Sequence, residues 1–279
     1  MVSEEKLAGL KSYCERARKT LIEDAYSMRY ERKKKSLGAV LSSMASDHEG
    51  LGIYAYFGET NATQMKQHFH VAAQLRIASV GLRRGETLST GAKILYVMLS
   101  DSPEVIQSYA YLEPNEEYIK YRDNPKTLQF YVHMTQLAIR NEDDALQAKI
   151  AIAAQKSGKK LREEFSAGED FYSLLLKRDK NALEALITEK ANQWQAIIKR
   201  GGETGTPLSE NLMASIAMEY AKLCWLKGIE VQIDHPLVPM ELLPIKPLDH
   251  YDDVYDFLDP NWVPPPQTLF EKLTKWIKG

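Results

Sequence analysis

The alternation of hydrophobic and polar positions predicts helices along most of the chain. Between residues 88 and 200 one pattern occurs three times: an apolar helical stretch, a short polar break and a second apolar stretch. The breaks lie at residues 100–104, 140–144 and 177–181. A spacing of about forty residues is typical of helical-hairpin repeats, whose units bury their apolar stripes by stacking on one another. We therefore expect an all-α fold of stacked antiparallel helical hairpins, a degenerate repeat without an invariant signature.

Short polar signals predict where several helices begin. Residues 102–104, Ser-Pro-Glu, combine a capping hydroxyl, a proline at the first helical position and a carboxylate in the first turn. Residues 124–125, Asn-Pro, repeat this combination, and Ser209 is placed to cap the helix that follows it. Asn61 is expected to cap a long helix that continues to Leu82.

The pattern changes after Gly228. Residues 229–233 alternate as in a short strand or an extended segment, and eight prolines follow. Proline interrupts helices and sheet ladders, but this segment is also rich in Leu, Ile, Tyr and Trp, so we expect it to pack along the helices. We predict a single α-helical domain over residues 1–279, with N-terminal helices (1–87), a hairpin stack (88–228), and an extended tail with a short terminal helix (229–279).

Composition narrows the classes of function. A net charge of −2 does not indicate a general nucleic-acid binder. No apolar run approaches the ~20 residues that a membrane span needs, and the first residues lack the pattern of a signal peptide. Cys14 and Cys224 fit reduced thiols in a helical core. These features predict a cytoplasmic protein that binds neither membranes nor nucleic acid.

Charge is uneven along the chain. The basic run at residues 29–35 is interpreted as a solvated helix end near the negative pole of its dipole, since no nucleic-acid-binding motif accompanies it. By contrast, residues 230–259 hold eight carboxylates against one cation, Lys246. The acidic stretch is therefore the more distinctive of the two.

Few residues suggest catalysis or metal binding. His68 and His70 are two positions apart, which places them about 200° apart around a helix and does not suit a shared zinc ion. The carboxylates at residues 142–144 are favourable partners for a helix N-terminus. The best candidates for chemistry are His235 and His250, each preceded by an aspartate. No nucleophile–base pair or ligand cluster accompanies them, so we expect no catalytic residue, no metal and no cofactor.

One resemblance to a known family rests on the C-terminal third. Residues 220–231 (YAKLCWLKGIEV) and residues 236–244 (PLVPMELLP) resemble the last helix and the proline-punctuated tail of the immunity protein 49 family. The likeness extends over residues 88–258. It implies a mostly α-helical immunity protein, or antitoxin, of a bacterial polymorphic toxin system that acts in interbacterial competition. Such a protein binds its cognate toxin domain and blocks the active site or substrate access, and the family has no catalytic motif to carry over.

A partner surface is predicted in the acidic, tyrosine-bearing part of the tail. Carboxylates complement Arg and Lys on a toxin, and tyrosines make good interface anchors. The predicted partner-binding residues are Asp249, Tyr251, Asp252, Asp253, Tyr255 and Asp256. Two other interpretations stay open, namely a helical-repeat scaffold or adaptor that binds a peptide, and an enzyme that uses His235 or His250.

Overall fold

The computed structural model describes residues 4–31, 37–80, 82, 92–113, 116–156, 163–201, 208–209 and 211–263. These ranges contain eleven α-helices, one π-helical turn and two 3-10 turns, and no strand occurs within them. The helices are α1 Glu4–Tyr26, α2 Leu37–Phe57, α3 Ala62–Val80, α4 Ala92–Leu99, α5 Pro103–Ala110, α6 Glu116–Tyr121, α7 Leu128–Arg140, α8 Asp143–Lys156, α9 Glu163–Lys177, α10 Lys180–Lys199 and α11 Ser215–Leu226. The all-α fold class is confirmed.

Helices α1, α2 and α3 pack in sequence order at the N-terminal end. Two glycines of α2 make this close packing possible. A Cβ at Gly50 would lie 2.2 Å from the ring of Tyr13 on α1, and a Cβ at Gly52 would lie 2.5 Å from the ring of Phe69 on α3. Asn61 caps α3 as predicted, because its Oδ1 accepts a hydrogen bond of 2.9 Å from the backbone N–H of Gln64.

The three polar breaks lie between helices: α4 and α5, α7 and α8, and α9 and α10. Each break contains one non-glycine residue in the left-handed region, namely Asp101 (φ 55°), Asn141 (φ 59°) and Arg178 (φ 53°). Such a residue ends one helix and redirects the chain into the next. The breaks thus share a backbone geometry, while the stacking of hairpins as a repeat stays a prediction.

The side chains of these three residues converge on α11 and its exit. Asp101 pairs with Lys222 at 2.6 Å. Asn141 Oδ1 accepts a hydrogen bond of 2.8 Å from the ammonium group of Lys227. Arg178 donates to the backbone carbonyl of Lys227 at 3.0 Å. The second half of α11 and its exit therefore contact three separate helix–helix turns.

Three of the predicted capping side chains serve other purposes. Ser102 makes no capping hydrogen bond, and its hydroxyl lies 3.0 Å from Nδ1 of His70. Asn124 belongs to a turn that ends before α7 begins. The hydroxyl of Ser209 lies 3.1 Å from that of Tyr96, and α11 begins six residues later than Ser209. The predicted capping hydrogen bonds are absent because a residue distant in sequence binds the hydroxyl group, or because the helix starts elsewhere. The helix start predicted at residues 102–104 is confirmed, since α5 begins at Pro103 with Glu104 in its first turn.

Buried apolar side chains form two clusters. The main cluster includes residues from α1 to α11 and continues into the segment after α11. Trp194 belongs to it and is 9% exposed, which confirms its predicted core position. The second cluster lies among α1, α2 and α3 and includes Tyr255 from the C-terminal part. None of the helices in the described ranges is long and apolar enough to cross a membrane.

Candidate functional site

The candidate site lies on the segment after α11, residues 229–263, which we call the tail. Its first part, residues 229–244, is the inner tail, and residues 249–263 are the outer tail. Apart from a 3-10 turn at Met240–Leu242, the inner tail is irregular. Residues 229–233 form no strand, so the strand alternative is wrong. Within this segment the backbone N–H of Val231 donates to the carbonyl of Ile229 at 2.9 Å, which closes a tight turn. The buried inner-tail side chains are Ile229, Val231, Ile233, Leu237, Val238, Leu242 and Leu243.

A buried lysine fixes the end of the inner tail. Lys222 on α11 is 0% exposed, and its ammonium group pairs with Asp101 at 2.6 Å. The same group donates to the backbone carbonyls of Leu242 (2.8 Å), Leu243 (3.2 Å) and Pro244 (3.2 Å). Burial lowers the pKa of Lys222, and the carboxylate of Asp101 opposes this shift. One charge therefore joins α11, the turn after α4 and the tail.

The turn after α4 also receives the chain that follows the inner tail. Lys66 on α3 pairs with the other carboxylate oxygen of Asp101 at 2.9 Å and donates to the carbonyl of Lys246 at 2.5 Å. The hydroxyl of Tyr251 donates to the carbonyl of Ser100 at 2.7 Å. These contacts anchor the start of the outer tail beside α3.

Two histidines contact the outer tail, and a third contacts one of these two. The ring of His70 stacks on Tyr251 with 4.7 Å between centroids. The Nδ1 atoms of His48 and His68 lie 3.1 Å apart, and Nε2 of His48 lies 2.9 Å from the hydroxyl of Tyr255. Burial, with the second imidazole as a smaller cause, lowers the pKa of His48 to about 3. Burial, followed by the charge of Arg18, lowers the pKa of His68 to about 4. Both rings are therefore neutral at pH 7.

Two glutamines of α3 hold the acidic residues at the middle of the outer tail. The side chain of Gln67 donates to the carbonyl of Asp252 at 2.9 Å and accepts from its backbone N–H at 3.0 Å. Gln74 donates to the carboxylate of Asp253 at 3.0 Å. The carboxylates of Asp252, Asp253 and Asp249 are exposed. The backbone is thus tied to the body while these charges face outward.

The end of the outer tail contacts the π-helical turn Ser27–Glu31 that follows α1. Arg29 of that turn pairs with Asp256 at 2.9 Å, and its guanidinium lies 6.0 Å from the ring centre of Phe257. The basic run at residues 29–35 therefore begins with a cation that serves an internal contact. Residues 32–35 of that run lie outside the described residues.

The geometry offers little for catalysis. The imidazole of His250 lies 3.3 Å from the carboxylate of Asp252, but both side chains are highly exposed. Nδ1 of His235 accepts a hydrogen bond from the backbone N–H of Leu237, which holds the ring in a turn. The Ser102–His70 pair has catalytic spacing, yet both residues are 1% exposed. Within the described part of the chain, no three His, Cys, Asp or Glu side chains are grouped so as to hold a metal ion.

Two hollows adjoin the end of the outer tail. The first, which we call the acidic cleft, has a volume of about 420 Å³ and is lined by four carboxylates, from Glu104, Asp253, Asp256 and Asp259. The second, which we call the apolar groove, has a volume of about 400 Å³. Its apolar walls come from Met28, Leu37, Leu41, Ala78, Leu82 and Phe257. Both hollows are also lined by Leu258, Asp259, Pro260 and Trp262, so they lie on two sides of one ridge.

The six predicted partner-binding residues all lie on the outer tail, but they differ in orientation. The aspartates at positions 249, 252, 253 and 256 are exposed, whereas Tyr251 is half-buried and Tyr255 is 8% exposed. The tyrosines bind the helical body with their hydroxyl groups. Sequence reasoning missed Lys222, although a lysine within the apolar run of α11 is a signal of a buried charge with a partner.

Comparison with known proteins gives one match. A family model described as Immunity protein 49 matches residues 78–242, which is more than half of the chain. No curated protein and no solved structure matches the chain. The matched range includes α4 to α11 and most of the inner tail, and it ends before the outer tail. Helices α1 and α2 also lie outside it.

Proposed function

Because the chain belongs to the immunity protein 49 family, we propose that it binds a cognate bacterial toxin domain and neutralises it by covering the toxin's active site or its route to substrate. Neutralisation by obstruction requires a surface that keeps its shape when it meets the partner. The bonds of Lys222 to the inner tail and of Gln67 to Asp252 in the outer tail help to hold such a surface in place. The observation that carries the proposal is an exposed acidic segment held by several side-chain contacts on an immunity-protein body.

The proposed interface is the outer-tail surface formed by Asp249, Tyr251, Asp252, Asp253, Tyr255 and Asp256. Its exposed carboxylates suit a toxin surface rich in Arg and Lys, such as a pocket that binds an anionic substrate. The two tyrosines support this surface from below by fixing the backbone on which the aspartates stand. Charge of this kind acts mainly on the rate of association and on the choice of partner.

The test neutralises Asp252, Asp253 and Asp256 together by substitution with Asn. A matched control, Glu15→Gln with Asp144→Asn and Glu189→Gln, changes the net charge equally at exposed positions away from the tail. The neighbouring gene product that the chain captures in a pull-down is taken as the toxin domain, and association with it is measured by stopped flow from low to high salt. We expect the tail variant to associate several-fold more slowly at low salt, with a flatter salt dependence, and the control to resemble the wild type.

Growth rescue tests the biological role. Cells that express the neighbouring toxin are expected to survive only when this chain is co-expressed. If the chain binds that protein tightly but never restores growth, an adaptor or scaffold becomes the better description. If the tail variant and the control associate equally fast, the interface lies elsewhere on the body.

A further inference from the structure

We propose that the apolar groove receives a large apolar side chain of the toxin domain, while the acidic cleft across the ridge receives an Arg or Lys beside it. This inference rests on the proposed function and adds an anchoring point and a partner chemistry to it. The toxin segment that fits is one in which a Leu, Phe or Trp is flanked by cations.

The groove is suited to an apolar anchor. Its walls come from four parts of the fold: the π-helical turn after α1, the first turns of α2, the end of α3, and the outer tail. Leu82 at its edge is 58% exposed, and the half-buried ring of Trp262 lies on the ridge. A volume of about 400 Å³ exceeds that of one large side chain. Hollows of this kind hold the buried anchors that dominate protein–protein affinity.

The charge beside the groove determines what the anchor's neighbours must be. Four carboxylates line the acidic cleft, and the described residues that line it include no cation. One of the four, Asp256, is paired with Arg29 of the neighbouring π-helical turn at 2.9 Å. Asp259 lines both hollows, so an apolar side chain in the groove brings its neighbours within reach of the cleft. Asp or Glu side chains of a partner would be repelled by these carboxylates, and Arg or Lys side chains would be attracted. The acidic cleft therefore favours a toxin segment that is basic.

The position of the two hollows fits a surface that distinguishes one toxin from another. Most of their lining residues belong to the π-helical turn, α2 and the outer tail, all of which lie outside residues 78–242. The part matched by the family supplies the body on which this surface stands. A second copy of the chain is a poor occupant, because a two-fold contact across this surface would bring its carboxylates towards one another.

The test places opposite charges at the edge of the groove. Leu82→Lys and Leu82→Glu both remove the apolar lip, but only lysine repels a basic partner. Ile119→Lys on α6 is the control, since Ile119 is an exposed hydrophobic residue at 45%. Titration calorimetry against the neighbouring toxin domain, inactivated in its active site, is expected to give a Kd at least tenfold higher for Leu82→Lys. The increase for Leu82→Glu should be smaller, and the control should stay within twofold of the wild type.

Hydrogen exchange gives a readout that does not depend on substitutions. Peptides that cover residues 256–262 and 37–41 are expected to gain protection when the toxin domain is added. If Leu82→Lys binds as the wild type does, and these peptides gain no protection, the inference is wrong while growth rescue still supports the proposed function. If the wild-type chain neither binds nor rescues, the proposed function itself is wrong.

Two other occupants have distinct signatures. A second copy would appear as a dimer in sedimentation that Leu82→Lys dissociates. Residues 264–279, which lie outside the described residues, would protect the peptides before any toxin is added, and a chain ending at Val263 would lose that protection. Either result would overturn the inference.

Discussion

The inner tail and the outer tail are attached to the helical body by different kinds of interaction. The inner tail contributes seven buried apolar side chains to the core, and a fully buried charge holds its end. In the outer tail only Tyr255 is buried, and attachment comes mainly from side-chain hydrogen bonds, the stack of Tyr251 on His70, partly buried Phe257 and Leu258, and an exposed ion pair. The inner tail is therefore part of the folding core, whereas the outer tail is a surface laid over it.

This difference separates stability from recognition. Apolar burial at about 25 cal/mol per Å² makes the inner tail costly to change. Exposed polar contacts contribute about 0–1 kcal/mol each, so the outer tail can change its charges without unfolding the body. That arrangement suits the proposed function, in which the body keeps its fold and the outer tail meets the toxin.

The largest effect is expected from Lys222→Met. The substitution removes the ammonium group but leaves the carboxylate of Asp101 buried, with Lys66 as its remaining cation. Breaking a buried pair from one side costs about 3–5 kcal/mol. Urea unfolding followed by circular dichroism measures the loss. The double variant Lys222→Met with Asp101→Asn should recover part of it, because the fully buried carboxylate is then removed as well, while Lys66 keeps its hydrogen bond to the carbonyl of Lys246. A loss below about 1 kcal/mol would mean that the inner tail is not held by this charge.

Two leucine truncations compare the halves directly. Leu243 in the inner tail is 0% exposed, and Leu243→Ala is expected to cost about 2–5 kcal/mol through lost burial and a cavity. Leu258 in the outer tail is half-buried, and Leu258→Ala should cost about 1 kcal/mol. Both values come from the same urea unfolding measurement. Equal losses at the two positions would remove the distinction between core and surface.

A fall in pH is expected to lower the free energy of unfolding, because His48 takes up a proton more readily in the unfolded chain. Its pKa is lowered from 6.5 to about 3 in the folded chain, so as pH falls below 6.5 the unfolded chain takes up the proton first. Stability is therefore lost from pH 6.5 downward, by up to about 1.4 kcal/mol per pH unit for this group, or about 2 kcal/mol by pH 5. The contacts that the ring would disturb on protonation are those with His68 and Tyr255.

The variant His48→Gln isolates this contribution. It should be less stable than the wild type at pH 7, since Tyr255 loses its imidazole partner, but its stability should fall less steeply between pH 6.5 and 5. Unfolding midpoints at four pH values give both slopes. Parallel slopes would assign the acid sensitivity to other groups, such as His68 and His70, whose pKa values are also lowered by burial.

Local pattern was enough to predict the helices and several of their ends. The three breaks, the cap at Asn61 and the core position of Trp194 follow from periodicity and short-range chemistry. These features depend on residues within a few positions of one another, and such residues are adjacent in the sequence as well as in space. His68 and His70 lie on different sides of α3, as predicted, because they are two positions apart on one helix.

Contacts between residues that are distant in the sequence could not be predicted from local pattern. Nothing near Lys222 indicates Asp101 as its partner, and nothing near Ser102 indicates His70. Tyr251 and Tyr255 have the composition of interface anchors, yet their hydroxyl groups bind the body. Such outcomes depend on which surfaces meet after folding, and a single sequence does not contain that information in local form.

The smallest effect on stability, and the clearest on function, is expected from the Asp252, Asp253 and Asp256 triple substitution to Asn. The backbone contacts of Gln67 with residue 252 are unaffected by the change. The pair between Arg29 and Asp256 is exposed, so its loss and the change at Gln74 together should cost less than about 1 kcal/mol. The variant should therefore unfold at nearly the wild-type urea concentration while associating several-fold more slowly with the toxin domain. If the variant loses stability and association rate in proportion, the outer tail affects binding by way of the stability of the fold. Separation of the two would place recognition on the outer tail and stability in the inner tail.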